Sequence, residues 1–113
     1  MPPLDTAGPK LEQELRRGVI VLAILSQLRV ARYGYGLRQN LADQGMPVEE
    51  GTLYPLLRRL EGQGLLASEW RSAEGSMRRR YYRLSPAGAV LLERLGQDWQ
   101  ALVGIMAGLL KAA

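Results

Sequence analysis

Residues 51–88 constrain the fold of this chain most, because a helix-forming stretch, a strand-turn-strand pattern and three consecutive arginines follow one another directly. The segment reads GTLYPLLRRLEGQGLLASEWRSAEGSMRRRYYRLSPAG. Between Thr52 and Arg83 it contains seven arginines and three glutamates, a balance of +4. The formal net charge of all 113 residues is also +4, so the rest of the chain sums to zero. A basic surface concentrated in one segment is typical of proteins that bind nucleic acid.

Composition argues against several other classes of protein. The chain contains no Cys and no His, so a disulfide framework, a thiolate metal site and the commonest general base are all absent. The longest apolar run, Val19 to Leu25, is seven residues, far below the roughly 20 that span a bilayer, and no cleaved signal sequence is evident. We therefore expect a cytoplasmic protein of one domain that is not an enzyme, needs no metal or other cofactor and has no membrane partner.

The first half of the chain predicts two helices after a loose start. Residues 1–9 include three prolines and one glycine, which predicts a flexible N-terminal arm. From Leu11 to Leu28 apolar residues recur at helical spacing and become denser toward the end, which predicts a helix buried on more than one side. Glycines and tyrosines at 33–36 end it, and Leu37 and Leu41 give one apolar face to a second helix that ends near Gly45. Residues 46–48 then form a turn.

The second half predicts a third helix, a hairpin and a long last helix. The third helix starts within residues 48–52, turns its leucines inward and ends at Gly62 and Gly64. Residues 65–71 alternate as a strand, pair antiparallel with residues 79–84, and are joined to them by a loop at residues 72–76. Ser85 and Pro86 supply an N-cap and a helix-starting proline. The predicted fold is mainly α with a small β-hairpin: an arm (1–9), a winged helix-turn-helix domain (10–85) and a C-terminal dimerisation helix (86–113).

The order of these motifs resembles the PadR family of bacterial transcriptional regulators, in the short form with a single C-terminal dimerisation helix. The motifs are YGY at 33–35, GTLYPLLRRL at 51–60, GLL at 64–66 and RRYYRLSPAG at 79–88. The resemblance covers about residues 12 to 92 and implies a DNA-binding regulator, with repression as its usual action. Arg80 replaces the usual Lys and Ser85 the usual Thr. Glu49 and Glu50 stand where small or polar residues are commoner, and near DNA their carboxylates would repel phosphates.

Physical reasoning also points to double-stranded DNA. A helix fits the major groove and presents side chains near its N-terminus to base edges, so the start of the third helix should set sequence specificity. The arginines of the hairpin would contact phosphates or enter the minor groove, which adds affinity that depends on salt. The predicted DNA-binding residues are Tyr35, Thr52, Tyr54, Pro55, Arg58, Arg59, Arg78, Arg79 and Arg80.

Each of these residues also has a structural interpretation. Arg58 and Arg59 could form a solvated helix face on which Glu61 partly balances Arg58. The arginines at 78–80 could serve only solubility, and strand alternation sends Arg79 to the face opposite Arg78 and Arg80. Tyr35 could instead pack, with its neighbour Tyr33, to fix the first turn. Trp70 is expected to pack in the core or in the hairpin.

The last helix predicts a homodimer. Six apolar residues recur with spacings of 3, 4, 3, 4 and 3, a heptad seam: Leu92, Leu95, Trp99, Leu102, Met106 and Leu109. From Pro86 to Lys111 the helix would be roughly 39 Å long, more than a small domain can cover. Its stripe therefore needs a second chain, with the first helix as a counter-surface. Two-fold symmetry then predicts a roughly palindromic operator with half-sites about 34 Å apart.

A small-molecule effector is a further prediction. In PadR-like regulators that sense drugs or aromatic compounds, an aromatic residue of the C-terminal helix can line a pocket at the dimer interface, and the resemblance places Trp99 there. Leu95 and Met106 would form adaptable walls, and an apolar or planar cationic ligand would stack on the indole. The alternative is that Trp99 only anchors the interface.

Three classes of function remain open at this stage. The favoured one is a dimeric, sequence-specific transcriptional regulator. The second is a winged-helix module whose basic hairpin binds an acidic protein without specific DNA binding. An enzyme is the least favoured, because no His, no Cys and no clustered pair of acids is present in a cleft-like segment.

Overall fold

Four α-helices and a three-stranded antiparallel sheet form the protein, and the computed structural model describes residues 4–72 and 77–111. The elements in chain order are α1 (Leu4–Gln27), β1 (Arg32–Tyr33), α2 (Gly34–Asp43), α3 (Glu50–Gly62), β2 (Leu66–Ser72), β3 (Arg78–Leu84) and α4 (Pro86–Leu110). The predicted fold, a winged helix-turn-helix followed by a long helix, is confirmed. Of the predicted hairpin loop, residues 73–76 lie outside the described residues.

Helix α1 begins earlier than the sequence predicted. Residues 4–9, which were assigned to the flexible arm, are the first turns of the helix, and residues 1–3 lie outside the described residues. The prolines and glycine of residues 1–9 had suggested an arm, but Pro9 is the sixth residue of α1. So close to the N-terminus its fixed φ suits a helix, and its missing N–H removes one main-chain hydrogen bond.

Leucine side chains from all four helical segments meet the sheet in one apolar core. Ile24, Leu25 and Leu28 are fully buried, which confirms that the second half of the first predicted helix lies inside the protein. Leu66 and Tyr82 bring the sheet into this core, and no polar side chain of the described residues is buried. The remaining buried residues are Leu37, Leu41, Val48, Leu53, Leu57, Leu60 and Leu92. Each fully buried aliphatic side chain contributes about 1.5–3 kcal/mol relative to exposure.

Two glycines end α2 and α3 where the sequence predicted. Gly45 and Gly64 have φ of +92° and +78°, the left-handed conformation that residues with a Cβ adopt only at a cost. Beyond each glycine the chain turns back on the helix: the Met46 N–H donates to the Leu41 carbonyl (2.8 Å) and the Leu65 N–H to the Leu60 carbonyl (3.0 Å). These turns set the direction of α3 and of the hairpin that follows it.

The sheet has the strand order β1-β3-β2. Strands β2 and β3 pair from Leu66 opposite Leu84 to Ser72 opposite Arg78, which confirms the predicted antiparallel hairpin. The N–H of Leu84 donates to the carbonyl of Leu28 (2.9 Å), so the base of the hairpin is fixed to the end of α1. Strand β1 was not predicted, because two residues are too few to show alternation.

Helix α4 starts with the predicted cap and then leaves the body of the protein. The Ser85 hydroxyl accepts from the N–H of Gly88 (3.0 Å) and donates to the carbonyl of Gly64 (2.6 Å), and Pro86 follows as the first helical residue. A Cβ at Gly88 would collide with the Leu65 carbonyl, so the helix packs closely on the start of β2. Beyond Gly96 every described residue of α4 is exposed. The molecule is accordingly elongated, 59 × 32 × 25 Å.

Candidate nucleic-acid interface

Helix α3 separates its apolar and polar residues as predicted. Leu53, Leu57 and Leu60 are buried. Of the five residues of α3 that were predicted to bind DNA, four are exposed: Thr52, Pro55, Arg58 and Arg59. The helix begins at Glu50, close to the start expected from Pro55, whose lack of an N–H is tolerated best in the first turns. Thr52, Tyr54 and Pro55 thus lie in the first half of α3, and the two basic side chains, Arg58 and Arg59, lie in its second half.

Tyr54 is more buried than the other residues of α3 that were predicted to bind DNA. Its ring is half-buried and packs against the core and against the backbone of Gly34 at the start of α2. A Cβ at Gly34 would overlap the ring, so only glycine leaves room for it. Tyr54 therefore both joins α2 to α3 and reaches the surface, a double role that helical periodicity alone could not reveal.

An aromatic, arginine-rich cleft of about 280 Å³ lies between the start of α2, helix α3 and the hairpin. It brings together five of the predicted DNA-binding residues, namely Tyr35, Tyr54, Arg78, Arg79 and Arg80, with Tyr33, Gly34, Trp70 and Tyr82. Three others, Thr52, Pro55 and Arg59, instead line a groove of about 440 Å³ against α1, beside Arg17. The predicted residues thus lie along two edges of α3, and Arg58 is exposed on the same helix without lining either space.

The hairpin arginines alternate between its two faces, as predicted. The guanidinium carbon of Arg78 lies 5.7 Å from the centre of the Trp70 ring, and that of Arg80 lies 5.9 Å from the same ring. On the other face Arg79 lies 4.5 Å from the Tyr33 ring. Such guanidinium–aromatic contacts contribute about 0.5–1 kcal/mol at exposed sites.

Trp70 does not occupy the core. It is 56% exposed, and its contacts are with the arginines of the neighbouring strand. Part of the expectation, packing within the hairpin, is confirmed, whereas core packing is wrong. The reason is its position: Trp70 lies opposite Arg80, near the tip of a hairpin that extends beyond the leucine core.

Arg80 differs from the other two arginines because its charge is paired within the protein. Its Nη2 lies 2.9 Å from Oε1 of Glu61, and its Nε donates to the Ser68 hydroxyl (3.0 Å). Ser68 in turn donates to the second carboxylate oxygen of Glu61. Glu61 therefore balances Arg80 and not Arg58, to which helical spacing had assigned it. A partner 19 residues away along the chain gives no local sequence signal.

Glu49 and Glu50, at the start of α3, also differ in whether their charge is paired within the protein. Glu50 is paired with Arg38 of α2 (3.2 Å), and Arg38 also donates from Nε to the Val48 carbonyl (3.0 Å). Glu49 precedes the helix and forms no ion pair within the described residues. The expected repulsion of DNA phosphates is therefore smaller for Glu50, whose charge Arg38 balances, than for Glu49.

Tyr35 lies at the rim of the cleft. It is half-exposed, its hydroxyl accepts from Nε2 of Gln39 (2.9 Å), and its ring stacks on Tyr33 with centroids 6.3 Å apart. Tyr33 also contacts Tyr81 of β3, with ring centroids 5.6 Å apart. Tyr33 thus packs, as the structural interpretation had it, and Tyr35 retains an accessible edge.

The sequence matches the family model described as "Transcriptional regulator PadR-like family" from residue 21 to residue 94, well over half of the chain. This chain belongs to the PadR-like family of transcriptional regulators. The resemblance drawn from the four motifs is confirmed. The family assignment confirms the predicted fold and implies that the chain is a DNA-binding regulator.

Individual proteins agree with the family assignment. The transcriptional regulator Rv3488 of Mycobacterium tuberculosis is 43% identical over 81 residues, which cover 71% of this chain and 75% of that protein. The crystal structure of a PadR family transcriptional regulator from Eggerthella lenta superposes with a TM-score of 0.84 at 45% identity, covering 96% of each chain. A PadR-like regulator from Bacillus cereus gives 0.80 at 28% identity, covering 88% of this chain and 99% of that one. These PadR-like proteins are regulators, not enzymes.

The residues predicted to bind an effector lie on the exposed part of α4. Leu95 is half-buried, and Trp99 and Met106 are 40% and 43% exposed. They share one stripe of the helix with Leu102 and Leu109. The effector site of this PadR-like chain stays a prediction that needs a second chain.

Neither a metal centre nor a membrane segment is found in the described part of the chain. Residues 4–72 and 77–111 contain no group of three or more acidic side chains that could hold a metal ion. Within the same ranges, no helix combines the length and the apolar composition needed to cross a membrane.

Proposed function

We propose that this PadR-like chain is a homodimeric, sequence-specific DNA-binding regulator that acts as a repressor. The observation that carries the proposal is the cleft in which the start of the recognition helix α3 and the arginines of the hairpin meet. An exposed helix with polar and aromatic side chains near its start and arginines further along suits the major groove. Arginines at a hairpin tip beside it suit the neighbouring phosphates. Binding to chromosomal DNA gives the protein a cytoplasmic location.

Roles divide between helix and wing, our name for the hairpin β2–β3. Thr52, Pro55 and Arg58 are exposed on α3 and would contact base edges. Tyr54, whose ring packs against Gly34, would position α3 for these contacts. Arg78 and Arg79 supply charge from the wing, with Arg59 at the edge facing α1. Helix residues then determine which sequence is bound, and wing residues determine mainly how tightly any DNA is bound.

The homodimer is supported by the apolar stripe of α4. Exposure along it rises from 6% at Leu92 to 40% at Trp99, 52% at Leu102 and 70% at Leu109. Seven large apolar side chains are exposed between Trp99 and Leu110, an arrangement that the packing of a second chain would explain. Leu11 and Leu15 of α1 are also exposed and offer the counter-surface. A two-fold axis would place two recognition helices on a roughly palindromic operator.

An effector would act through the same interface. Trp99 and Met106 of both chains would enclose an apolar or planar cationic molecule, and a changed angle between the two wings would lower DNA affinity. Quenching of Trp99 emission by a library of planar cations, measured in a Trp70→Phe background, tests this. The idea fails if no compound that quenches Trp99 weakens DNA binding.

DNA binding is tested by fluorescence anisotropy with a duplex from upstream of the protein's own gene, against scrambled competitor. Arg58→Gln should cost about 1–3 kcal/mol on the specific site if Arg58 reads a base, and little on scrambled DNA. Arg78→Gln should weaken both and reduce the slope of log affinity against log salt by about 0.9 per subunit. Tyr54→Phe removes only the hydroxyl, so it tests base contact without disturbing the packing on Gly34.

Arg94→Gln, an exposed arginine of α4, is the matched control and should change neither affinity nor specificity. Weak binding that is equal on native and scrambled duplexes calls for a selection from random DNA. If the selection also returns no preferred sequence, the protein is not a sequence-specific regulator, and the wing binds an acidic protein partner instead.

A further inference from the structure

Glu61, Ser68 and Arg80 form a closed set of polar contacts between the end of α3 and the wing. The carboxylate of Glu61 accepts from Arg80 through one oxygen (2.9 Å) and from the Ser68 hydroxyl through the other. The same hydroxyl accepts from Nε of Arg80 (3.0 Å). Each of the three side chains thus contacts both of the others.

The aromatic residues of the wing add to this arrangement. The Arg80 guanidinium lies 5.7 Å from the Tyr82 ring and 5.9 Å from the Trp70 ring, so its planar group is confined by two rings and two polar partners. The side chains of Arg80 and Glu61 are 41% and 27% exposed. These four contacts fix the position of the Arg80 guanidinium, which remains partly exposed to solvent.

Arg80 is therefore not equivalent to its two neighbours. Within the described residues no carboxylate lies within ion-pair distance of Arg78 or Arg79. Contacts between arginine and phosphate are independent of sequence, so each one raises affinity for all DNA equally. An arginine whose charge is already balanced adds less to that general affinity.

We propose that Glu61, at the end of α3, is a specificity-determining residue that acts on the wing through Arg80. By holding Arg80, Glu61 withholds the third arginine of the cluster from phosphate and lowers sequence-independent affinity, so that base contacts from α3 account for a larger share of binding. The proposal rests on the DNA-binding function proposed above. It assigns the wing two phosphate-binding arginines, Arg78 and Arg79, and one positioning arginine, Arg80.

The test measures the full-length protein on a random-sequence duplex by fluorescence anisotropy, between about 50 and 200 mM salt, so no operator needs to be known. Glu61→Gln keeps the size of the side chain and removes its charge, which releases Arg80. The salt slope should then steepen by up to about 0.9 per subunit, and affinity at low salt should rise several-fold. Asp98→Asn removes the same charge on the exposed, projecting part of α4, and it should leave the slope unchanged.

Two arginine variants complete the test. In the wild-type background Arg80→Gln should leave the slope unchanged, whereas Arg78→Gln should reduce it by about 0.9 per subunit. In the Glu61→Gln background Arg80→Gln should abolish the gain. Thermal unfolding of each variant confirms that it is folded, and the Arg80→Gln result stands by itself if Glu61→Gln does not fold.

Two outcomes would overturn this proposal alone: a slope for Glu61→Gln equal to that of Asp98→Asn, or a loss with Arg80→Gln as large as that with Arg78→Gln. In both cases the wild-type protein still binds DNA, so the proposed function survives. Absence of any salt-dependent binding by the wild-type protein would overturn both proposals.

Discussion

At the scale of single residues, Tyr54 and Gly34 show how one side chain can belong to both the surface and the packing. Tyr54 was predicted as a base-reading residue because it lies among the polar positions of α3. In the structure its half-buried ring fills the space left by the missing side chain of Gly34. The start of α2 and the recognition helix are therefore fitted to each other by one glycine.

Gly34→Ala should destabilise the protein. The added methyl group would overlap the Tyr54 ring, which must move together with α3. We expect a loss of about 1–3 kcal/mol in the free energy of unfolding, the usual cost of overpacking a well-packed site, measured by urea titration. DNA affinity should fall as well, because α3 would shift relative to the wing.

Gly51→Ala provides the comparison, because nothing lies within 4 Å of a Cβ at that position of α3. Alanine favours a helix over glycine by about 1 kcal/mol, so this variant should be as stable as the wild type or slightly more stable. Equal free energies of unfolding for the two variants would mean that the Tyr54 ring moves away freely and that the close fit has no energetic importance.

At the scale of elements, the junction between wing and last helix depends on Ser85. Its hydroxyl caps α4 by accepting from the N–H of Gly88 and also reaches back to the carbonyl of Gly64, at the turn that ends α3. One side chain thereby connects the recognition helix, the hairpin and α4. The Ser-Pro pair in the sequence predicted the cap, whereas the contact with Gly64 depends on the turn at Leu65.

Ser85→Ala should remove both hydrogen bonds. The loss of an N-cap typically costs about 1 kcal/mol, and the uncapped N–H of Gly88 lies beside the close contact with the Leu65 carbonyl. The midpoint of urea unfolding should fall accordingly. Ser85→Thr keeps a hydroxyl and should retain most of the stability. A midpoint for Ser85→Ala at the wild-type value would contradict the assigned role of the cap.

At the scale of the whole molecule, the exposed apolar surface of α4 is the surface that the proposed homodimer would cover. The helix extends well past the core, and the elongated outline of a single chain reflects this projection. Apolar side chains on a projecting helix remain hydrated unless another surface covers them. The spacing of 3 and 4 residues fits a helix–helix seam.

Leu102→Glu should dissociate the dimer, because a carboxylate in the middle of the seam would lose its hydration in the interface. We expect light scattering after size exclusion to give about twice 12.5 kDa for the wild type and about 12.5 kDa for the variant. Gln97→Glu adds the same charge at an exposed position outside the heptad seam and should remain dimeric. A wild-type mass of one chain would exclude the homodimer.

The sequence by itself determined the order of the elements, the inner leucines of α3, the pairing of the hairpin and the cap of α4. All of these depend on residues that are close along the chain: periodicity, turn glycines and a Ser-Pro pair. The same local signals failed at residues 4–9, which belong to α1 although their proline and glycine content had suggested an arm, and at β1, which is too short for a pattern.

The tertiary structure alone decided which partners the polar and aromatic side chains have. Glu61 pairs with Arg80 across the gap between helix and wing, Glu50 pairs with Arg38, and Trp70 lies exposed between arginines. The physical reason is that an ion pair or a ring contact depends on distance in space, and residues 8 to 19 positions apart meet only once the hairpin has formed and the helices and hairpin have packed. The three adjacent arginines of β3 thus have different partners in the folded protein.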